Sequence, residues 1–185
     1  MKFISRDKVI YKFKNEMEHI DTISPGDVIK VETNDCWSQQ FCSEEQVLNE
    51  IDHDILNPAT GPIYVEGAEP GDLLEVKVIS IDVEDKGNSE AVPNEGVLGG
   101  QVKDSTVKII SIEGDYAIFN GIKLPINPMI GVIGVAPAKE EGEWGTGSPW
   151  KHGGNMDTND IIAGTTLYFP VHQKGALLAL GDCHA

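Results

Sequence analysis

The chain closes on three adjacent side chains of chemically useful type, Asp182, Cys183 and His184. In an extended strand successive side chains point to opposite faces, so Asp182 and His184 would share one side. A carboxylate and an imidazole supply half of a catalytic zinc site, in which a water keeps one position open. The spacing therefore predicts part of a metal site, while a turn aspartate beside a solvated histidine remains the alternative.

A second strand-like run, "VIKVETND", also ends in an acid, Asp35. A carboxylate at a strand end projects from a rigid frame into the adjoining loop space. We expect Asp35, Asp182 and His184 to converge on one divalent cation, unless Asp35 is only a turn residue. The histidine favours zinc, and the many carboxylates leave calcium open.

The stretch "WKHGGNMD" holds a second set of candidates, beginning with His152 as a further ligand or a proton carrier. Gly153 and Gly154 lack side chains, so their N–H groups could approach a ligand, and Asn155 adds an amide donor. Such a nest could hold the oxygen that becomes negative when a carbonyl is attacked. A Gly-Gly turn beside an exposed histidine is the alternative, and Asp157 is either a ligand or the local turn residue.

The cysteines are poor candidates for a nucleophile. Cys183 adjoins His184 and Cys36 adjoins Asp35, but adjacent residues of an extended chain point to opposite faces. We expect both to be small buried thiols. The odd total of three cysteines, without a Cys-x-x-Cys pair, fits a reducing compartment.

The charge balance excludes whole classes of partner. The 185 residues carry 30 Asp and Glu against 14 Lys and Arg, which opposes binding to nucleic acid or to anionic membranes. Arg6 is the single arginine, so a guanidinium clamp for an anionic substrate has almost no source, and a neutral or cationic ligand is favoured. The charged N-terminus and the short apolar runs predict a cytoplasmic protein without a membrane span.

These candidates must be held by strands. Pro-Gly-Asp turns precede alternating apolar and polar residues twice, and further short strand-like runs are separated by Gly, Pro, Asn and Asp. This spacing of short strands and turns predicts a mainly β chain that forms a single β-sandwich or jelly-roll-like domain over residues 1–185. The predicted strands cover 23–33, 68–83, 106–112, 116–126, 129–136, 165–171 and 175–181.

One short helix and two long loops complete the prediction. Ser43 and Gln46 form a capping box, followed by apolar residues on one side, Val47, Leu48, Ile51 and Ile55, up to Asn57-Pro58. The segments 84–100 and 137–160 are predicted as irregular loops, and loops of such length are commonly functional.

Five stretches in the same order resemble the acetamidase/formamidase family: "NDCWSQQF", "NPATGPIYVEGAEPGDLLEVKV", "GVIGVAPA", "HGGNMDT" and "GDCHA". The resemblance runs from roughly residue 25 to the last residue. It implies a β-sandwich or jelly-roll-like, metal-associated amidohydrolase that converts formamide or acetamide to carboxylate and ammonia.

The resemblance also implies roles for the residues. It supports Asp35, Asp182 and His184 as metal ligands, and we expect Glu140 or Glu141 in the neighbouring loop to be the general base. A bound zinc would polarise the carbonyl and bring the pKa of water down to about 7.

Members of the family usually continue beyond the "GDCHA" segment, so we expect the domain to be incomplete at its C-terminus. The alternative to an active enzyme is a non-catalytic, truncated β-rich module that needs another chain or the missing segment. Homo-oligomerisation, most simply as a dimer, is expected in either case.

Overall fold

The computed structural model describes residues 1–46 and 48–185 and is mainly β, as predicted. None of its helices is long and apolar enough to span a membrane. The strands are β1 (Lys2–Ile4), β2 (Val9–Ile10), β3 (Lys12–Phe13), β4 (Asp21–Ile23), β5 (Ile29–Val31), β6 (Ala59–Val65), β7 (Leu73–Lys77), β8 (Lys86–Ala91), β9 (Thr106–Glu113), β10 (Tyr116–Phe119), β11 (Ile122–Pro125), β12 (Met129–Gly134), β13 (Trp144–Gly145), β14 (Gly153–Asn155), β15 (Thr166–Pro170) and β16 (Leu178–His184).

The central sheet has the order β14-β12-β16-β6-β2, with β4 added in parallel to β6. Every residue of β12 is buried and nearly every residue of β6. Strands covered on both faces read as continuous apolar runs, which explains "MIGVIG" in β12. Because β16 pairs with β12 on one side and β6 on the other, its backbone is fixed along most of its length.

A second sheet has the order β11-β10-β9-β8, and all its neighbours are antiparallel. The prediction of one strand over 116–126 is wrong, because the segment folds back at Asn120 and Gly121. Their φ angles of 50° and 80° fit the two-residue turn that favours Asn-Gly between antiparallel strands. The hairpin therefore ends at exposed β11.

The segment 84–100, predicted as an irregular loop, contains β8. Its sequence KGNSEA shows no apolar alternation, yet β8 pairs with β9 from Lys86, opposite Ser111, to Ala91, opposite Thr106. Pairing with β9 makes this segment a strand, although its own residues have little preference for one. The consequence is that polar side chains of β8 are carried on a sheet.

The helix predicted after Ser43 is wrong for the described residues, and Val47 lies outside them. The capping contacts do form, since the N–H of Ser43 donates to Gln46 Oε1 over 3.0 Å. The chain then makes two 3₁₀ turns, the second capped by the side chain of Asp52. The 3₁₀ helices are Leu48–Glu50, His53–Ile55, Gly99–Gln101 and Lys139–Glu141.

Candidate metal centre

Three ligand-type side chains meet at the end of β16. His184 Nε2 lies 3.2 Å from Asp182 Oδ2 and 3.5 Å from Asp157 Oδ1. One ligand atom from each of the three lies within 4.8 Å of the others, a grouping that no other set of His, Cys, Asp or Glu makes among residues 1–46 and 48–185. The structure thus brings Asp182 and His184 together and adds Asp157.

Backbone contacts fix each of these residues. Asp182 is 5% exposed, and its N–H donates to the carbonyl of Asn34 over 3.1 Å. The N–H of Asp157 donates to the carbonyl of Gly131 in β12, and the Asn155 amide donates to Asp157 Oδ2 over 2.8 Å. The three carboxylate and imidazole groups are therefore oriented by the central sheet and by the turn that follows β14.

Gly131 forms the floor of the cluster. A Cβ at this position would lie 2.6 Å from the carbonyl oxygen of Asp182, 2.8 Å from Asp157 Oδ1 and 2.9 Å from His184 Nε2. Cβ atoms essentially never approach backbone so closely. Only glycine leaves room for the cluster over β12.

The donor set fits a small divalent cation. In a tetrahedral zinc site with bonds of 2.0–2.1 Å, neighbouring ligand atoms are about 3.3 Å apart. The separations from His184 Nε2 to the two carboxylate oxygens, 3.2 and 3.5 Å, bracket that value. An imidazole with two carboxylates matches zinc better than calcium, which prefers six or more oxygens.

The electrostatics agree with a cation site. A hydrogen bond with Asp182 raises the pKa of His184 against the opposing effect of burial, and the negative charges of Asp182 and Asp157 add to the rise. The negative surroundings therefore favour a positive charge between the two carboxylates.

Asp35 does not belong to this cluster. Its Oδ1 accepts from the Gln39 N–H over 2.6 Å, and its Oδ2 accepts from the Asn88 amide over 2.9 Å. It lies close by in the fold, because the neighbouring Asn34 bonds to Asp182. The structure thus places Asp157, rather than Asp35, beside Asp182 and His184.

His152 is not the exposed histidine of the alternative interpretation. It is 0% exposed and packs on Phe13, with ring centroids 4.8 Å apart. Neither ring nitrogen has a hydrogen-bond partner among the residues that the structure describes. Burial lowers the pKa of His152 to about 4, so the ring is neutral near pH 7. His152 is not a member of the Asp157, Asp182 and His184 cluster.

The glycines after His152 serve strand packing. A Cβ on Gly153 would lie 2.3 Å from the carbonyl oxygen of Ile133, so β14 can approach β12 only without side chains there. The N–H of Gly153 donates to the Trp150 carbonyl over 3.0 Å, and that donor is not free for the predicted oxyanion cradle. The φ of Gly154, 93°, is a further reason for glycine.

The predicted general bases lie outside the cluster. Glu140 is exposed, and Glu141 pairs with Lys151 over 2.9 Å. The hydrogen bond from Lys151 lowers the pKa of Glu141, whereas a general base at neutral pH works best with a raised value. Burial raises the pKa of the thiols of Cys36 and Cys183, which agrees with non-nucleophilic cysteines.

A groove of about 1880 Å³ opens beside the cluster. Asp182 and His184 line it together with Asp35, Trp37 and Glu90, and much of the remaining lining is apolar. Sequence reasoning missed Glu90 because β8 shows no strand pattern, and it missed the role of Gly131 because a buried apolar run gives no sign of a close approach.

The sequence model of the Acetamidase/Formamidase family matches residues 4–144 and 141–185. A formamidase of Methylophilus methylotrophus is 25% identical over 91% of this chain and 56% of its own length. An acetamidase of Mycolicibacterium smegmatis is 24% identical over 88% of this chain and 56% of its own length.

Solved structures agree with this result. An acetamidase from Bacillus halodurans superposes with a TM-score of 0.95 at 46% identity, covering 99% of this chain and 62% of its own. A recombinant protein described as a predicted acetamidase/formamidase of Thermoanaerobacter tengcongensis gives 0.95 at 47% identity, covering 100% and 62%. This chain therefore spans between half and two thirds of the length of its relatives, and it belongs to the acetamidase/formamidase family.

Proposed function

We propose that this protein hydrolyses small aliphatic amides, such as formamide and acetamide, to a carboxylate and ammonia. The observation that carries the proposal is the cluster of Asp157, Asp182 and His184 at the edge of a groove, in a chain of this family. We further propose that the cluster holds a divalent cation, zinc in preference to calcium.

An amide resists hydrolysis because its nitrogen lone pair is delocalised into the carbonyl and its amine leaves poorly. A bound zinc ion would supply Lewis acidity at the carbonyl and a more acidic water. The chain itself fixes the ligands: buried Asp182 orients the imidazole of His184, and the Asn155 amide holds Asp157. These contacts position the three ligands before any cation or substrate arrives.

Further aspects of the proposal follow from the sequence. The net charge of −16 favours a neutral substrate over an anionic one. We place the protein in the cytoplasm, as a homo-oligomer and most simply a dimer.

The test compares Asp182→Asn with the control Asp160→Asn in the purified chain. Asp160 is an exposed acid in the same region whose side chain accepts from Thr158. Bound zinc is measured by elemental analysis, and ammonia release is measured with formamide and acetamide. We expect Asp182→Asn to lose zinc and at least about 90% of the activity, because even losing a hydrogen-bond partner of a metal ligand costs about tenfold or more, and Asp160→Asn to keep both. Full zinc content and activity in Asp182→Asn would contradict the proposal.

A second candidate function is a β-rich module that becomes active only with another polypeptide. The groove favours it, because apolar side chains such as Leu74, Val76 and Ile81 line a wide open cavity. This candidate predicts no ammonia release by the chain alone. It also predicts activity after addition of the part of the Bacillus halodurans acetamidase that this chain does not cover. Turnover by the chain alone would exclude it.

A further inference from the structure

We propose that Glu90 binds the amide nitrogen of the substrate and so selects amides whose nitrogen carries an N–H. This inference rests on the proposed amide hydrolysis. It concerns a residue of β8 that contributes no ligand to the cluster.

The strand β8 brings Glu90 to the site. Asn88 and Glu90 are two residues apart in β8, so their side chains share one face. Asn88 donates to Asp35 Oδ2 over 2.9 Å, which fixes the direction of that face toward the segment after β5. Glu90 lines the same groove as Asp182 and His184.

One oxygen of Glu90 has no partner in the part of the chain that the structure describes. Its Oε1 is buried and accepts no hydrogen bond from residues 1–46 or 48–185. Burial raises the pKa of Glu90, and the negative charges of Asp35 and Asp182 raise it further, which agrees with their closeness. Buried polar atoms in proteins are nearly always satisfied, so an unpaired acceptor in a groove indicates a donor supplied by a ligand.

A primary amide supplies that donor. Its carbonyl oxygen is an acceptor that suits the cation side of the groove, and its nitrogen carries two N–H donors that suit a carboxylate. A hydrogen bond to a charged group stabilises a complex more than one between neutral groups. A nitrogen with two methyl groups offers no donor and would leave the Glu90 oxygen unpaired, so the site would discriminate against it.

The experiment measures kcat/KM for formamide and the inhibition constant of N,N-dimethylformamide as a competitor. Glu90→Met removes the acceptor at similar size, and Glu90→Gln keeps an acceptor oxygen. The control is Glu113→Met, an exposed glutamate of the neighbouring β9. Bound zinc and circular dichroism are measured for each variant.

We expect Glu90→Met to lower kcat/KM for formamide about tenfold or more, since a charged hydrogen bond is lost. Its inhibition constant for N,N-dimethylformamide should stay within about twofold, because that competitor makes no such bond. Glu90→Gln should recover part of the loss, because its amide oxygen still accepts but carries no charge, and Glu113→Met should behave as wild type.

Unchanged kinetics in Glu90→Met would overturn the inference, and so would an equal loss toward both compounds. A Glu90→Gln variant as weak as Glu90→Met, with zinc retained, would also overturn it, because a group that exchanges protons would then be required. Absence of ammonia release by the wild-type protein would instead refute the proposed function.

Discussion

Two histidines close to the same sheet have opposite environments. His184 at the end of β16 is half exposed and lies between two carboxylates, which raise its pKa. His152, just before β14, is fully buried between aromatic rings, has no hydrogen-bond partner among residues 1–46 and 48–185, and through burial has its pKa lowered to about 4. One imidazole is suited to exchange a proton for a cation, and the other stays neutral.

The difference between the two histidines shows that residue type alone does not identify a metal ligand. In the sequence, both histidines stand near Gly and Asp, and both are candidate ligands, His152 with a role as proton carrier left open. Partners within about 4 Å decide between them, because an opposite charge favours the protonated form and burial opposes it.

The strongest effect is expected at Gly131, which lies against the cluster that contains His184. Gly131→Ala puts a Cβ into the backbone of Asp182 and against Asp157 and His184. We expect a loss of several kcal/mol in the free energy of unfolding and no zinc binding, because buried strands cannot move aside. Urea denaturation and zinc titration measure both. The control is Gly100→Ala, where an added Cβ contacts nothing. Normal zinc binding by Gly131→Ala would contradict the role of Gly131 beside the cluster.

The next largest effect concerns His152. The unfolded chain binds a proton at this residue near pH 6.5 and the folded chain only near pH 4, so stability is lost as the pH falls through that window. The full loss is up to about 3 kcal/mol, at 1.36 kcal/mol for each pKa unit. His152→Phe should abolish this part of the pH dependence. Urea denaturation at pH 7 and at pH 4.5 measures the change in the free energy of unfolding. An equal change in His152→Phe and in the wild-type protein would refute the assignment.

A smaller effect is expected on the pKa of His184. Asp182→Asn removes the hydrogen bond and charge that raise the pKa of His184, so that pKa should fall toward its ordinary value. The stability that His184 contributes through this bond exists at low pH and is lost as the pH rises through the folded-state pKa. NMR titration of the imidazole signal in zinc-free protein measures the shift, with Asp160→Asn as control. An unchanged pKa in Asp182→Asn would mean that Asp182 is not the dominant partner.

The smallest effect lies beside His152. Lys151→Ala removes the ion pair with Glu141, whose pKa should rise because the lysine holds it low. Since the lysine side chain is 66% exposed, water and salt screen the pair and we expect the free energy of unfolding to change little. Urea denaturation in low and high salt checks this, and a loss as large as that of Gly131→Ala would show that the pair supports the buried ring.

Local pattern in the sequence predicts much of the fold. Alternation and turn residues indicate the strands of the central sheet, including β12 and the first part of β16. They fail for β8, whose strand exists only because β9 pairs with it. They also fail after Ser43, where the capping contacts form but the chain turns into 3₁₀ helix.

The candidate site is less accessible to such reasoning. The expected neighbourhood of Asp182 and His184 is found, although the φ of Asp182, 48°, departs from the extended backbone that alternation assumes. The choice between Asp35 and Asp157 as the third member depends on how distant strands lie in register, which spacing does not encode. The unpaired oxygen of Glu90 depends in the same way on the β8–β9 ladder.

The position of β16 between two ladder partners has a consequence for unfolding. Asp182 and His184 lie on that inner strand, and Asp157 reaches them from the turn beyond β14, so one ion would act as a non-covalent cross-link over residues 157–184. Such a cross-link stabilises only the folded chain, and its strength grows with the logarithm of free ion concentration. The melting temperature would then rise with the concentration of free zinc, independently of the rate of catalysis.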